Sequence, residues 1–166
     1  MINATKEKMG GAVETLTELK LSKMITGDRV VDLISSKREN VLKELIQVMS
    51  TTKAVSNKLD FYKAITEREA LGNTGVGLGV ALPHAMAPGI SEMVIAIGRK
   101  PEGIAYEAAD GVPVQIVVMI GAPENRTDDF LKVLSKIILL FRNSKFRKRV
   151  LDVRTSNDVV HLFKDK

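Results

Sequence analysis

Residues 112–120 read Val112-Pro113-Val114-Gln115-Ile116-Val117-Val118-Met119-Ile120, a run that is apolar almost throughout, bounded by Gly111 and by Gly121-Ala122-Pro123. A strand with one wet face alternates apolar and polar residues, whereas a strand covered on both faces reads as a near-continuous Val/Ile-rich run. The stretch therefore predicts a central strand, and a central strand buried on both faces requires helices on both sides of its sheet.

Working outward, the chain supplies those helices. Behind Thr127, Phe130, Leu131, Leu134, Ile137, Ile138 and Phe141 recur at helical spacing, which predicts a long amphipathic helix capped by the threonine. Ser144 and Thr155 begin two shorter helical pieces. Upstream, Val76 to Leu82 and Met93-Val94-Ile95-Ala96-Ile97 read as strands, and the Ala87-Pro88-Gly89 turn between them is tight enough to predict that they are neighbours. Arg29 to Ile34 reads as a short strand. Ser36 with Glu39 three residues later is a capping-box pattern ahead of Val41, Leu42, Leu45, Ile46 and Met49, so a helix is predicted over about 37–52. Asn57 caps a second helix that turns Phe61, Tyr62 and Ile65 inward and stops at Gly72. Strands interspersed with helices predict a three-layer α/β/α domain with a mixed central sheet flanked by helices.

Composition limits what such a domain does. The chain has 166 residues, 45% hydrophobic and 27% charged, which suits one soluble globular domain. No apolar run approaches the roughly 20 residues of a membrane helix, and the first residues lack the compact apolar region of an export signal, so a cytoplasmic location is expected. The absence of cysteine excludes disulfides, thiolate metal sites and a cysteine nucleophile. The net charge is +5, with Arg142, Lys145, Arg147, Lys148, Arg149 and Arg154 clustered near the C-terminus. That cluster lacks interleaved aromatics beyond Phe146 and reads as a solvated helix face, so no nucleic acid is expected as partner.

Chemistry concentrates between the second helix and the sheet, in Arg68-Glu69-Ala70-Leu71-Gly72-Asn73-Thr74-Gly75-Val76-Gly77-Leu78-Gly79-Val80-Ala81-Leu82-Pro83-His84-Ala85. Glycine permits backbone angles that other residues resist, so Gly72, Gly75, Gly77 and Gly79 predict a loop that exposes amides to an anion. Pro83 fixes its own φ and biases Leu82 toward an extended conformation, which presents His84 at a stiff corner. Imidazole is neutral and nucleophilic near pH 7. If attack goes through Nε2, a carbonyl or a carboxylate must hold Nδ1–H; Glu69 is one candidate. The Arg68 guanidinium can spread over two phosphoryl oxygens, and the hydroxyl and amide of Thr74 sit where they could donate to the same group. The glycine pattern lacks the Lys-Ser/Thr of a P-loop and the order of a dinucleotide fold, which disfavours ATP and NAD. Two histidines and no cysteine give no convincing metal site, and no cofactor is expected. His161, in Val159-Val160-His161-Leu162-Phe163, reads as a packing residue of the last helix.

The run TGVGLGVALPHA behind Arg68-Glu69 resembles the active-site motif of the fructose/mannitol-type IIA family of the bacterial phosphoenolpyruvate-dependent phosphotransferase system, including its nitrogen-regulatory members. The resemblance extends from about Leu19 to about Phe163, with one departure at Ala85, where many relatives carry Gly. It implies a IIA domain over 15–166; residues 1–14, polar and small with Gly10-Gly11 as a hinge, read as a loosely ordered lead-in or short helix. It implies that His84 accepts a phosphoryl group from an HPr-like carrier, with Arg68 as catalytic partner; the exposed amides and the Thr74 hydroxyl make Thr74, Gly75 and Gly77 the expected phosphate-binding residues. Several relatives carry a second histidine on the helix after the central strand, at a position matched here to Lys132, which makes Lys132 an auxiliary candidate beside Glu69. The acceptor is a IIB protein in a transport role, or a regulatory target in a nitrogen-related branch, the latter preferred. A module of the same fold that binds without turnover is the alternative from another class.

Overall fold

The computed structural model describes residues 19–166; the lead-in expected over 1–14 lies outside the described residues. Six strands form one sheet: β1 (Val30–Asp32), β2 (Gly75–Gly77), β3 (Val80–Ala81), β4 (His84–Met86), β5 (Val94–Ile104) and β6 (Val114–Ala122). Five α-helices pack on it among the described residues: α1 (Arg38–Met49), α2 (Lys58–Leu71), α3 (Thr127–Arg142), α4 (Ser144–Asp152) and α5 (Ser156–Leu162). The strand order is β1-β5-β6-β3-β2, with β4 also on β6. Strand β6 runs antiparallel to β5 and parallel to β3 and β4, so the sheet is mixed and the apolar run is its centre.

Alternation along the strands divides the core into two. Val117 and Met119 face the layer of α1 and α2, with Val41, Leu45, Phe61 and Ile65. Val118 and Ile120 face the layer of α3, α4 and α5, with Phe130, Val133, Ile137, Val150 and Val159. Neighbouring β5 follows the same alternation, with Ala96 on the first side and Ile95 and Ile97 on the second. Burying each such Ile, Val or Phe contributes about 1.5–3 kcal/mol, which fixes the helices to both faces as the apolar run requires. Gly98 on β5 makes room for α1's layer: a Cβ there would stand 2.7 Å from Leu33 side-chain carbons.

Four local expectations are corrected. Val76 to Leu82 is a β2–β3 hairpin, because Gly77, Leu78 and Gly79 all take positive φ (84°, 60° and 77°) and turn the chain back. The strands joined by the Ala87-Pro88-Gly89 turn are not neighbours: β4 and β5 pair with opposite edges of β6, meeting it at the same residue, Ile120. Ser36 does not cap α1; its N-cap is Lys37 without a side-chain bond, while Glu44 accepts from the amides of Ile34 (2.9 Å) and Ser35 (3.2 Å). Thr127 lies inside α3, whose N-cap is Arg126. The Asn57 cap forms on Asp60 N–H, and Thr155 with Asp158 makes a capping box on α5.

No helix among the described residues is long and apolar enough to cross a membrane. Arg99 is 5% exposed and ties the α4 layer to the sheet, donating to the carbonyls of Val150 (3.0 Å) and Val153 (2.7 Å) and pairing with Asp32 at 2.9 Å.

Candidate active site

Strands β3 and β4 lie end to end along one edge of β6, interrupted at Leu82-Pro83. Proline has no N–H to continue a ladder, and the interruption frees the Leu82 carbonyl from pairing outward. That carbonyl lies 2.7 Å from Nδ1 of His84. A carbonyl only accepts, so Nδ1 carries the proton and the lone pair is on Nε2. The Nε–H of Arg68 donates to this same Nε2 at 3.3 Å, as an unprotonated ring nitrogen requires. The two contacts assign one tautomer, and they resolve the choice left open by the sequence in favour of a carbonyl.

His84 is half-buried, with the ring of Phe130 5.6 Å away, centroid to centroid. Burial lowers its pKa below 6.5, the Leu82 carbonyl opposes this by stabilising the charged ring, the Arg68 cation lowers it further and Glu69 raises it. Neutral imidazole is thus favoured near pH 7. Arg68 comes from the last turn of α2, and its Nη1 donates to the carbonyl of Gly72 at 2.9 Å, so the guanidinium is held at two points.

Glu69 turns to the other side. Its Oε2 accepts from the Thr74 amide at 3.1 Å, and its Oε1 accepts from the hydroxyls of both Thr74 and Tyr106. Those two hydroxyl oxygens are 2.9 Å apart. Tyr106 is 1% exposed, and burial, reinforced by the Glu69 bond, pushes its phenol well above the ordinary tyrosine pKa. It therefore remains an O–H donor. Both donors of Thr74, which is 3% exposed, are committed to Glu69, so this residue braces the loop instead of facing an anion.

The glycines of the loop also meet local packing demands. Gly75 donates its amide to Asn73 Oδ1 at 2.7 Å, and a Cβ on it would lie 2.8 Å from that of Ala108. The turn at Gly77-Leu78-Gly79 has the backbone of an anion nest, but the chain's own Asp110 fills it, accepting from Leu78 N–H at 2.9 Å. These contacts and the positive φ angles of Gly77 and Gly79 suit close packing and a tight hairpin.

A family model described as "Phosphoenolpyruvate-dependent sugar phosphotransferase system, EIIA 2" matches residues 24–166. The chain belongs to this family. EIIA domains are phosphotransfer components. Among curated relatives, this EIIA chain is 29% identical over 145 residues to a fructose-specific EIIABC component of Bacillus subtilis, matching 87% of its own length and 23% of that protein. It is 30% identical over 134 residues to a nitrogen regulatory protein of Bradyrhizobium diazoefficiens, covering 79% of this chain and 86% of that one. Among solved structures, nitrogen regulatory protein IIA-Ntr of Neisseria meningitidis superposes with a TM-score of 0.80 at 27% identity, covering 86% of this chain and 98% of that one.

Other sequence candidates of the EIIA chain lie elsewhere. Lys132 is exposed and lines a groove on the outer side of α3 with Leu19, Lys136 and Leu139. Two residues along a helix is a rotation of about 200°, so the side chain that α3 presents to His84 is Phe130. His161 is exposed on α5. The basic cluster is partly structural: Arg147 donates to the carbonyls of Phe141 (2.7 Å) and Arg142 (2.9 Å), and Lys148 pairs with Asp152. Sequence reasoning missed Tyr106, Phe130, Asp110 and the Leu82 carbonyl. Only Asp110, beside a glycine, carried a visible turn signal.

Proposed function

We propose that this EIIA domain is a phosphocarrier that accepts a phosphoryl group on Nε2 of His84 from a phosphorylated HPr-like protein and passes it on. The observation that carries this reading is the tautomer: Nδ1–H is held by the Leu82 carbonyl, and the Nε2 lone pair points at the Arg68 guanidinium. Nε2 attacks phosphorus in line; the N–P bond to the donor breaks and its electron pair returns to the donor's nitrogen. The Nδ1 proton stays in place, and the Leu82 carbonyl stabilises the positive ring that results. Arg68 leaves the lone pair for the equatorial oxygens as the phosphoryl group arrives, adding charge-assisted hydrogen bonds where negative charge is densest.

The downstream role we favour is regulatory, with phosphorylation setting a phosphoryl dianion beside the positive ring of His84 and thereby changing the fit of a partner protein. The match over most of a nitrogen regulatory protein's length supports it. The similarity to one segment of a fructose-specific EIIABC component supports the alternative, transfer to a separate fructose/mannitol-type IIB protein. Incubation with a phosphorylated HPr-type protein tests the shared core of both. Acid-labile phosphate on the wild type and none on His84→Gln is expected; no labelling by any such donor rejects the carrier. Rapid onward transfer to a IIB protein would favour transport over regulation.

A further inference from the structure

Two carboxylates flank Arg68 in sequence: Glu67, which lies 3.9 Å from Lys63, and Glu69, which no ion pair joins to any cation among the described residues. A carboxylate next to a guanidinium in a part-buried site is a strong competitor for it, because a bidentate pair is the geometry both groups favour. Here three donors hold Glu69 away: Thr74 N–H, Thr74 O–H and Tyr106 O–H. Two of them come from the loop that Glu69 organises. The third comes from outside, from the segment after β5.

Tyr106 is itself rigidly placed. Its carbonyl accepts from Asn73 Nδ2 at 2.8 Å and from Arg38 Nη1 at 3.4 Å, while the Arg38 guanidinium lies 5.8 Å from its ring centre. The phenol thus enters the site at a fixed position, delivered by main-chain bonds and burial. Two hydroxyl protons serve the three oxygens Thr74 Oγ1, Tyr106 Oη and Glu69 Oε1. Glu69 Oε1 accepts from both hydroxyls, whose oxygens lie 2.9 Å from each other.

We propose that Tyr106 is a positioning residue of the transfer site: its hydroxyl clamps the Glu69 carboxylate against Thr74, which keeps Glu69 off Arg68 and leaves the guanidinium to His84 and the incoming phosphoryl group. Tyr106 touches neither reacting nitrogen nor phosphorus; it acts through Glu69. The proposal rests on the phosphocarrier reading, and its test separates the two.

Tyr106→Phe keeps the buried ring and removes only the clamp. With Glu69 released to Arg68, single-turnover phosphorylation of His84 should slow by about tenfold at saturating donor, while the half-saturating donor concentration stays within about twofold, since the docking surface is untouched. Glu69→Gln cannot form the competing ion pair, so the double variant Tyr106→Phe/Glu69→Gln should return to within about threefold of Glu69→Gln alone. A role confined to packing would give no such rescue. A Tyr106→Phe variant as fast as wild type, or a slow one not relieved in the double variant, overturns the proposal.

A readout independent of transfer accompanies this. The 15N resonance of His84 Nε2 reports the hydrogen bond from Arg68. It should move toward the unbonded position in Tyr106→Phe and back in the double variant. That shift appearing without any phosphorylation of the wild type would sustain the clamp and reject the carrier. An unmoved resonance would reject the clamp whatever the labelling shows.

Discussion

Arg68 donates its Nε–H to Nε2 of His84 at 3.3 Å, so the lone pair that would attack phosphorus is covered by the group that would stabilise the product. The same cation lowers the pKa of the imidazole and is positioned to exchange one acceptor for another within a side chain's reach. Its second anchor, the Gly72 carbonyl at 2.9 Å, lies at the end of α2 and need not be broken for that exchange.

Replacing Arg68 by Lys should retain charge and lose the planar fork. Phosphoryl acceptance by His84 should slow roughly ten- to a thousand-fold, about 1–4 kcal/mol of barrier. Single-turnover labelling measures it, and an unchanged rate removes Arg68 from the mechanism.

Both members of that pair were legible in the sequence, because glycines, a proline and a histidine crowd behind Arg68 in one short stretch. The central strand was legible for a comparable reason: burial on both faces removes polar residues from β6 itself. The hairpin was not. Leu78 sits in its turn at φ 60°, an angle its side chain disfavours, and to a pattern reader Val76 to Leu82 looks like one extended run. The far half of β5 was equally hidden, since the strand expected over Met93-Val94-Ile95-Ala96-Ile97 continues through Lys100-Pro101-Glu102-Gly103 to Ile104. Tyr106 reaches Glu69 across 37 residues of sequence, a contact that only the fold creates. Lys132 became a candidate through a match to relatives, whereas Phe130 read only as one of the apolar stripe of α3, with nothing in the sequence to place it beside His84.

Phe130 should control the protonation of His84. Its ring shields the imidazole, and burial is the largest cause of the lowered pKa. Phe130→Ala should raise that pKa toward 6.5, read from the pH dependence of the His84 ring signals by NMR. The truncation removes a side chain 5% exposed and should cost about 3–5 kcal/mol of stability, so Phe130→Leu serves as a better-folded variant with a smaller shift in the same direction. A pKa that stays put or falls in both contradicts the assignment.

The pH dependence has a definite sign. Because the folded-state pKa of His84 lies below its ordinary 6.5, the unfolded chain binds the proton first as pH falls. The stability contributed by the neutral ring is therefore fully present above about pH 6.5 and is lost as pH falls through the lowered value. Phosphoryl acceptance should follow the same acid limb, with its midpoint below 6.5. Denaturant melts between pH 5 and 8, run alongside His84→Gln, isolate the term; a His84 contribution that grows on acidification would reverse the sign.

The hairpin turn should tolerate no side chain at Gly77. With φ at 84° and a Cβ placed 3.1 Å from Asp110 Oδ2, Gly77→Ala should destabilise the domain by about 1–2 kcal/mol in urea melts. Transfer should slow as well, since β2 and β3 lead directly into Leu82-Pro83-His84. A variant as stable and as fast as wild type would mean that the turn adapts freely.

The central claim is that Nε2 of His84 carries the phosphoryl group while Nδ1 keeps its proton on the Leu82 carbonyl. Long-range proton–nitrogen correlation with phosphorus coupling, recorded on the protein after incubation with a phosphorylated HPr-type donor, reads the attachment atom directly. The account predicts a phosphorus-coupled Nε2 on His84 and a protonated Nδ1, both absent from His84→Gln. Phosphate on Nδ1, on His161 or on no histidine at all would contradict it.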